Sequence, residues 1–177
     1  ESIELKQDSF FSLDASLGDE EGDERAVGID YKNLPNDVEE DDILVLDDGR
    51  ITLKVVEVAG DCIRTRVING GRLSNHKGIN RQGGGLTAEA LTDKDRDDLV
   101  FALEHDVDYI ALSFPRDAKD MNLARDIMKE HESLAGLIAK IERVEAVENI
   151  DEIIQSSDGV MVARGDLGVE IGDSEVP

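Results

Sequence analysis

The chain has 177 residues, enough to bury a substantial core in one domain or in two small ones. It carries 42 acidic and 19 basic residues, and the resulting net charge of −23 disfavours binding to the phosphate backbone of a nucleic acid. We expect neither a membrane span nor a signal segment, because the apolar runs are short. The single cysteine, Cys62, gives no support to an oxidising compartment, so we expect the cytoplasm by default.

Residues 1–86 are predicted to form a small all-β domain, a barrel or a sandwich, because short strand patterns alternate with turn signals. The clearest hairpin begins with the buried-strand run Ile43–Leu46 and turns at the pair Asp48-Gly49. Its second strand alternates apolar with polar residues, and the apolar members are Ile51, Leu53 and Val55. A further strand is predicted from Cys62 to Ile68.

Residues 72–86, with the sequence RLSNHKGINRQGGGL, are the most basic part of this acidic chain and are rich in glycine. They contain neither a Walker A pattern nor a GxGxxG pattern, so they are a weak phosphate-binding motif. Composition alone favours a flexible linker between two domains.

Residues 87–177 are predicted to alternate helices with strands, as in a doubly wound sheet or an arc of a (β/α)₈ barrel. Thr92 and Asp95 have the spacing of a helix N-terminal capping box, with Asp in place of the usual Glu or Gln. A strand is predicted over Val107–Phe114, and a helix over Ala118–His131.

The last predicted unit is strand, helix, strand, with strands at Leu137–Ile141 and Gly159–Ala163. Such a crossover makes the two strands parallel, so their carboxyl ends meet at one edge of the sheet. The helix is predicted to bury the apolar residues that recur every three or four positions, namely Val144, Val147, Ile150, Ile153 and Ile154.

Charged residues end both strands of this unit. Lys140 and Glu142 are two apart, so both side chains would point to the same face, and Asp166 follows the second strand between glycines. A lysine beside two carboxylates suits a site for Mg²⁺ and phosphate. On pattern alone, an exposed strand-end lysine and two solvated acids remain open alternatives.

The segments IAKIERVEAV and SDGVMVARGDLGVE closely resemble the active-site signature of pyruvate kinases. LTDKDRDDL and VDYIALSFPRDAKD resemble barrel segments of that family, and ILVLDDGRITL and GGRLSNHKGIN resemble its lid domain. The resemblance implies a multi-domain fold that combines β with α/β structure. Residues 1–86 would form a small β-barrel lid, and residues 87–177 a partial (β/α)₈ barrel from the third helix to the sixth strand.

The resemblance also implies roles for individual residues. Lys140 matches the catalytic lysine that contacts the transferring phosphoryl group, and Glu142 and Asp166 match the two metal ligands. Gly165 and Asp166 match positions whose backbone N–H groups bind the substrate carboxylate. Lys77 matches a lid lysine associated with the nucleotide phosphates, which revises the linker interpretation of its segment.

Three further positions match the family less specifically. Asp48 matches a hairpin tip that closes over the active site, although a purely structural turn explains it equally well, and Ser113 and Phe114 match a strand end that lines the pocket. Residues 80–85, NRQGGG, depart from the family's common Asn-Leu-Pro-Gly and resemble a bacterial subgroup. The departure concerns the lid hinge rather than the chemistry.

The implied reaction passes a phosphoryl group from phosphoenolpyruvate to ADP, giving ATP and pyruvate. The resemblance also implies a requirement for Mg²⁺ or Mn²⁺ and for K⁺, whose ligands this chain does not carry. The full-length enzyme would be a cytoplasmic homotetramer. Because the family's other substrate ligands are also missing, we expect this polypeptide by itself to be inactive. Two alternatives are a Mg²⁺-dependent lyase or aldolase that handles pyruvate, and a non-catalytic interaction module.

Overall fold

A computed structural model describes residues 2–18 and 21–176 of the chain. Contacts divide the chain into two compact units, Glu1–Ala88 and Glu89–Pro177. Each unit has its own cluster of buried apolar side chains. No helix within the described ranges combines the length and the apolar character that a membrane crossing needs.

The described part of the first unit contains two β-sheets and one short helix. Its strands are β1 (Ser2–Leu5), β2 (Phe10–Asp14), β3 (Ala26–Gly28), β4 (Ile43–Leu46), β5 (Ile51–Ala59), β6 (Cys62–Asn69), β7 (Gly71–Ser74) and β8 (Ile79–Arg81), and helix α1 is Leu34–Asp37. The larger sheet has the order β3-β2-β6-β5-β4-β8, and β1 pairs with β7 in the smaller one. Neighbouring strands are antiparallel, except that β2 and β3 are parallel.

The predicted hairpin is confirmed as β4 and β5. Leu46 pairs with Ile51 across a four-residue connection, and the predicted apolar alternation of β5 is buried, at Ile51, Leu53 and Val55. The predicted strand from Cys62 is also confirmed, as β6. Among the described strands, the hydrogen-bonded ladder ends at β3 and β8, so the large sheet is open rather than a closed barrel.

The linker interpretation of residues 72–86 is wrong. Leu73 lies in β7 opposite Ile3 and is buried, and β8 forms the edge of the large sheet beside β4. Arg81 in β8 forms an ion pair with Asp42, with 2.9 Å between Nε and Oδ2. The glycine-rich, polar composition did not indicate β7 and β8, because these strands form by pairing with residues far away in the sequence.

The second unit, as far as residue 176, alternates helices with three parallel strands. Its elements are α2 (Asp93–Leu103), β9 (Tyr109–Leu112), α3 (Ala118–Glu130), β10 (Gly136–Ile141), α4 (Val144–Glu148), α5 (Ile150–Ser156), β11 (Gly159–Val162), α6 (Arg164–Ile171) and a 3₁₀ turn at Asp173–Glu175. The sheet has the order β11-β10-β9, so β10 lies in the middle. The predicted capping box is confirmed: the Asp95 N–H donates to Thr92 Oγ1, and the Thr92 N–H donates to Asp95 Oδ2.

The crossover between β10 and β11 differs from its prediction. It contains two short helices, separated at Asn149, rather than one. Val147 and Ile154 are 44% and 50% exposed, whereas Ala146 and Ile153 are buried. The break at Asn149 interrupts the helical phase, so residues of α4 and α5 do not share the continuous apolar face that a single helix would have.

Asp158, at the amino end of β11, forms hydrogen bonds with β10 and with α3. Its Oδ2 accepts hydrogen bonds from the Leu137 N–H at 2.7 Å and from Arg125 Nη1 at 2.8 Å. Arg125 also donates from Nη2 to the Ser156 carbonyl oxygen at 3.1 Å. The backbone hydrogen bond from Leu137, and then the guanidinium of Arg125, lower the pKa of Asp158 below its ordinary value.

We predict that Asp158→Asn destabilises the chain at neutral pH and has little effect in acid. A carboxylate whose pKa is lowered by folding stabilises the native state above its ordinary pKa of about 3.9, and this contribution is lost as the pH falls through the lowered value. Urea unfolding of both proteins at pH 7 and near pH 2.5 measures the difference. Asp97→Asn, an exposed aspartate of α2, is the control. An equal difference at both pH values would contradict the linkage.

Candidate functional site

The candidate site lies at the carboxyl ends of the three parallel strands. The register pairs Ala139 of β10 with Leu112 of β9, and Ile141 of β10 with Val162 of β11, so the three strands end nearly level. The residues that follow each strand therefore share one edge of the sheet. In parallel α/β structures, this edge is where binding and catalytic groups collect.

Lys140 and Glu142 meet at this edge, as their spacing predicts. Lys140 Nζ lies 2.5 Å from Glu142 Oε1 and donates a hydrogen bond to Ser113 Oγ at 3.0 Å. The Glu142 side chain is 0% exposed, and that of Lys140 is 26% exposed. The pair therefore places a fully buried carboxylate beside a lysine whose side chain is still partly exposed.

The backbone of Phe114 holds the other carboxylate oxygen. Its N–H donates to Glu142 Oε2 at 2.9 Å, and its φ of 56° is in the left-handed region. For a residue other than glycine, such a conformation costs about 1–3 kcal/mol and persists only where the surroundings impose it. Ser113 and Phe114 thus contact the two charged groups, one through its side chain and one through its backbone.

Gly165 and Asp166 occupy the first turn of α6. The first intrahelical hydrogen bond of this helix runs from the Leu167 N–H to the Ala163 carbonyl oxygen, so the preceding amides have no acceptor within the helix. A Cβ added at Gly165 would meet no atom within 4 Å, so its surface is open. Amides at a helix N-terminus attract anions.

The structure brings some of the predicted site residues together and not others. Within the described residues, no hydrogen bond or ion pair joins Asp166 to Lys140 or Glu142, although all three lie at the same edge. The described part of the chain also contains no cluster of three or more His, Cys, Asp or Glu side chains arranged to hold a metal ion.

The carboxylates nevertheless suit magnesium. Mg²⁺ commonly takes one or two protein carboxylates and completes its octahedron with water and substrate oxygens, so a cluster of three is not required. Glu142 Oε1 is buried and accepts no hydrogen bond of good geometry from the described residues, its close neighbour being the Lys140 ammonium. A buried oxygen in this state can serve as a ligand to a hard cation.

Lys77, in the first unit, forms an ion pair with Asp47 that the sequence did not predict. The distance between Lys77 Nζ and Asp47 Oδ1 is 2.6 Å, and Asp47 is buried. The close contact with the Lys77 ammonium, assisted by the charge of Arg50, lowers the pKa of Asp47. The run Asp47-Asp48-Gly49 was the available signal, but a sequence does not show which of two adjacent aspartates points inward.

Asp48 itself is exposed at the tip of the β4–β5 hairpin. Its φ is 54°, between Asp47 at 52° and Gly49 at 90°. Asp and Asn tolerate this left-handed region better than most residues, which explains an aspartate at this place in a turn.

Comparisons with known proteins agree in their result. The family model described as pyruvate kinase, barrel domain, matches residues 1–177. A pyruvate kinase of Buchnera aphidicola subsp. Schizaphis graminum is 57% identical over 178 residues, which cover 99% of this chain and 37% of that relative. Pyruvate kinase II of Salmonella typhimurium is 57% identical over 169 residues, with 94% and 35% covered. The pyruvate kinase of Thermotoga maritima is 40% identical over 177 residues, with 100% and 38% covered.

We predict that Glu142→Gln lowers the free energy of unfolding by about 1–3 kcal/mol in a metal-free buffer. Breaking a fully buried ion pair costs more, but Lys140 is partly solvated, which reduces the loss. Urea unfolding measures the change. Glu148→Gln, at an exposed position of α4, serves as the control and should change stability by less than about 0.5 kcal/mol.

The double variant Lys140→Met/Glu142→Gln tests how much of the loss of stability comes from the ion pair itself. Its loss is compared with the sum of the losses in the two single variants. We expect it to be more stable than the sum of the two single losses predicts, because it leaves no uncompensated charge. Strictly additive losses would show that the two side chains do not stabilise each other.

Proposed function

Because this chain belongs to the pyruvate kinase family, we propose that it forms part of an enzyme that transfers the phosphoryl group of phosphoenolpyruvate to ADP, giving ATP and pyruvate. The chain spans 37% of the length of the pyruvate kinase from Buchnera aphidicola subsp. Schizaphis graminum, so we assign the activity to a longer protein. The observation that carries the proposal is the convergence of Lys140 and the buried Glu142 at the carboxyl edge of three parallel strands.

We assign the two units to two parts of that enzyme. Residues 1–86 would be its lid domain, a small all-β domain whose large sheet is open among the described strands, and residues 87–177 an arc of its (β/α)₈ barrel. The first assignment is supported by two sheets packed around one core. The second is supported by three parallel strands in sequential order with connecting helices. Such an order is what consecutive units of a (β/α)₈ barrel would give.

Lys140 is proposed as the catalytic residue that contacts the transferring phosphoryl group. Phosphoryl transfer asks the protein mainly to position its reactants and to stabilise negative charge in the transition state. The ammonium of Lys140 is held by Ser113 Oγ and by Glu142, and the lysine side chain as a whole remains 26% exposed at the strand end. An ammonium that is oriented by two partners, on a side chain that is not fully buried, suits this role.

Glu142 and Asp166 are proposed to bind Mg²⁺ or Mn²⁺. The bound metal would neutralise charge on the phosphoryl oxygens. The Phe114 N–H fixes Glu142 Oε2, so a metal would bind Oε1 and would there replace the Lys140 ammonium as the cation beside it. Asp166 contributes a second carboxylate from the first turn of α6.

The remaining residues are proposed to bind the substrates. The backbone N–H groups of Gly165 and Asp166 would hold the substrate carboxylate at the N-terminus of α6. Lys77 would contact the nucleotide phosphates, for which it has to exchange its ion pair with Asp47. From family membership we also propose a requirement for K⁺, a homotetrameric assembly and a cytoplasmic role in glycolysis.

The proposed function predicts ATP formation by the full-length enzyme that contains this sequence, and none by the 177-residue chain alone. A lactate dehydrogenase-coupled assay with phosphoenolpyruvate, ADP, Mg²⁺ and K⁺ measures both. No ATP formation by the full-length enzyme, with lyase or aldolase activity instead, would overturn the proposal. Substantial turnover by the isolated chain would show that its residues complete the site by themselves.

Lys140→Met in the full-length enzyme should reduce kcat by at least about 1,000-fold, because the lysine acts on charge that develops in the transition state. Binding of Mn²⁺ and of phosphoenolpyruvate, measured by calorimetry, should remain detectable. Near-normal turnover would show that Lys140 does not have the assigned role. Lys129→Met, at an exposed position of α3, is the matched control.

A further inference from the structure

The turn after β9 has an unusual conformation that its own side chains do not explain. Phe114 adopts a φ of 56° although its ring is partly exposed to solvent. The turn nevertheless makes two contacts in the candidate site, from Ser113 Oγ to Lys140 and from the Phe114 N–H to Glu142. Besides the hydrogen bond to Glu142, contacts of the residues that follow can help to hold the backbone in this conformation.

Arg116, two residues after Phe114, provides the attachment. Its backbone N–H donates to Asp120 Oδ2 at 2.9 Å, its Nε donates to the same oxygen at 3.0 Å, and its Nη2 donates to Asp120 Oδ1 at 3.1 Å. A bidentate guanidinium–carboxylate pair fixes both distance and orientation. Asn149 adds a fourth bond, from Nδ2 to the Arg116 carbonyl oxygen at 3.0 Å.

Asp120 is a buried residue of α3, and this burial by itself would raise its pKa. The side-chain and backbone hydrogen bonds from Arg116 outweigh burial, so the pKa of Asp120 lies below its ordinary value. The carboxylate is therefore charged when it binds Arg116.

Asp120 is not needed to cap its helix. Asp117 is the N-cap of α3, and its Oδ1 accepts hydrogen bonds from the backbone N–H groups of Lys119 and Asp120, at 2.8 and 3.2 Å. The side chain of Asp120 is left to bind the preceding turn. The two aspartates thus have separate tasks, although both lie in the same turn of the chain.

We propose that Asp120 is a positioning residue of the candidate active site, acting through Arg116 to hold the Phe114 N–H against Glu142 and Ser113 Oγ against Lys140. The inference rests on the proposed function, in which Glu142 binds the divalent cation and Lys140 contacts the phosphoryl group. Without the Asp120–Arg116 pair, the turn relaxes toward an ordinary φ and Glu142 loses its backbone donor. Metal affinity and turnover then fall together.

The test uses the full-length enzyme with Asp120→Asn and, separately, Arg116→Lys, which keeps the charge and the backbone N–H but loses the bidentate geometry. Mn²⁺ binding without substrates is measured from the electron paramagnetic resonance signal of free Mn²⁺, and kcat and KM from the coupled assay. We expect Mn²⁺ to bind about 5- to 20-fold more weakly in each variant, and kcat to fall about 10-fold or more.

Asp117→Ala is the matched control, because it removes the helix cap and leaves the Asp120–Arg116 pair intact. We expect it to lower the melting temperature while Mn²⁺ affinity stays within about 2-fold of the wild type. The proposal is overturned if Asp120→Asn leaves Mn²⁺ affinity and kcat unchanged. It is also overturned if Asp117→Ala weakens Mn²⁺ binding as much as Asp120→Asn does.

The same experiment separates this inference from the proposed function. If the wild-type enzyme binds Mn²⁺ but makes no ATP from phosphoenolpyruvate and ADP, the proposed reaction fails. A loss of Mn²⁺ affinity confined to the Asp120 and Arg116 variants would still support the positioning role.

Discussion

A carboxylate that solvent cannot reach must find its hydrogen bonds and its counter-charge inside the protein, and Glu142 imposes this requirement on the edge of the parallel sheet. One oxygen takes the Phe114 N–H, which the left-handed turn presents, and the other faces the Lys140 ammonium. Both partners depend on the parallel register of β9 and β10, in which Ala139 pairs with Leu112, because the residues that follow then lie side by side. The conformation of the turn, the position of the lysine and the register therefore constrain one another.

Features set by neighbouring residues could be predicted from the sequence. The capping box at Thr92 needs only residues three apart, and the alternation of β5 needs only one strand with a buried face. The meeting of Lys140 and Glu142 is of the same kind, since their spacing puts them on one face. This spacing is common to many folds and does not indicate a particular reaction. The prediction of phosphoryl transfer from phosphoenolpyruvate came from the family resemblance of the surrounding residues.

Features set by distant residues could not be predicted. The strand at Leu73 exists because β1 pairs with it, and nothing in its glycine-rich surroundings indicates that partner. The exposure of Val147 and Ile154 follows from the break at Asn149 and from what packs against each helix, which periodicity does not record. The inward orientation of Asp47, likewise, depends on Lys77, thirty residues later in the chain. Propensity and period describe one segment at a time, whereas burial is decided between segments.

The two lysines proposed to meet phosphates share one electrostatic arrangement, each within its own unit. Lys77 is paired with the buried Asp47, and Lys140 with the buried Glu142. A carboxylate next to a lysine keeps this flexible cation in one place. The pairing also affects the proposed activity, because the negative charge of the carboxylate weakens the attraction between the lysine and a phosphoryl group. Besides neutralising charge on the phosphoryl oxygens, a divalent metal at Glu142 would balance this carboxylate and so free the Lys140 ammonium to face a substrate.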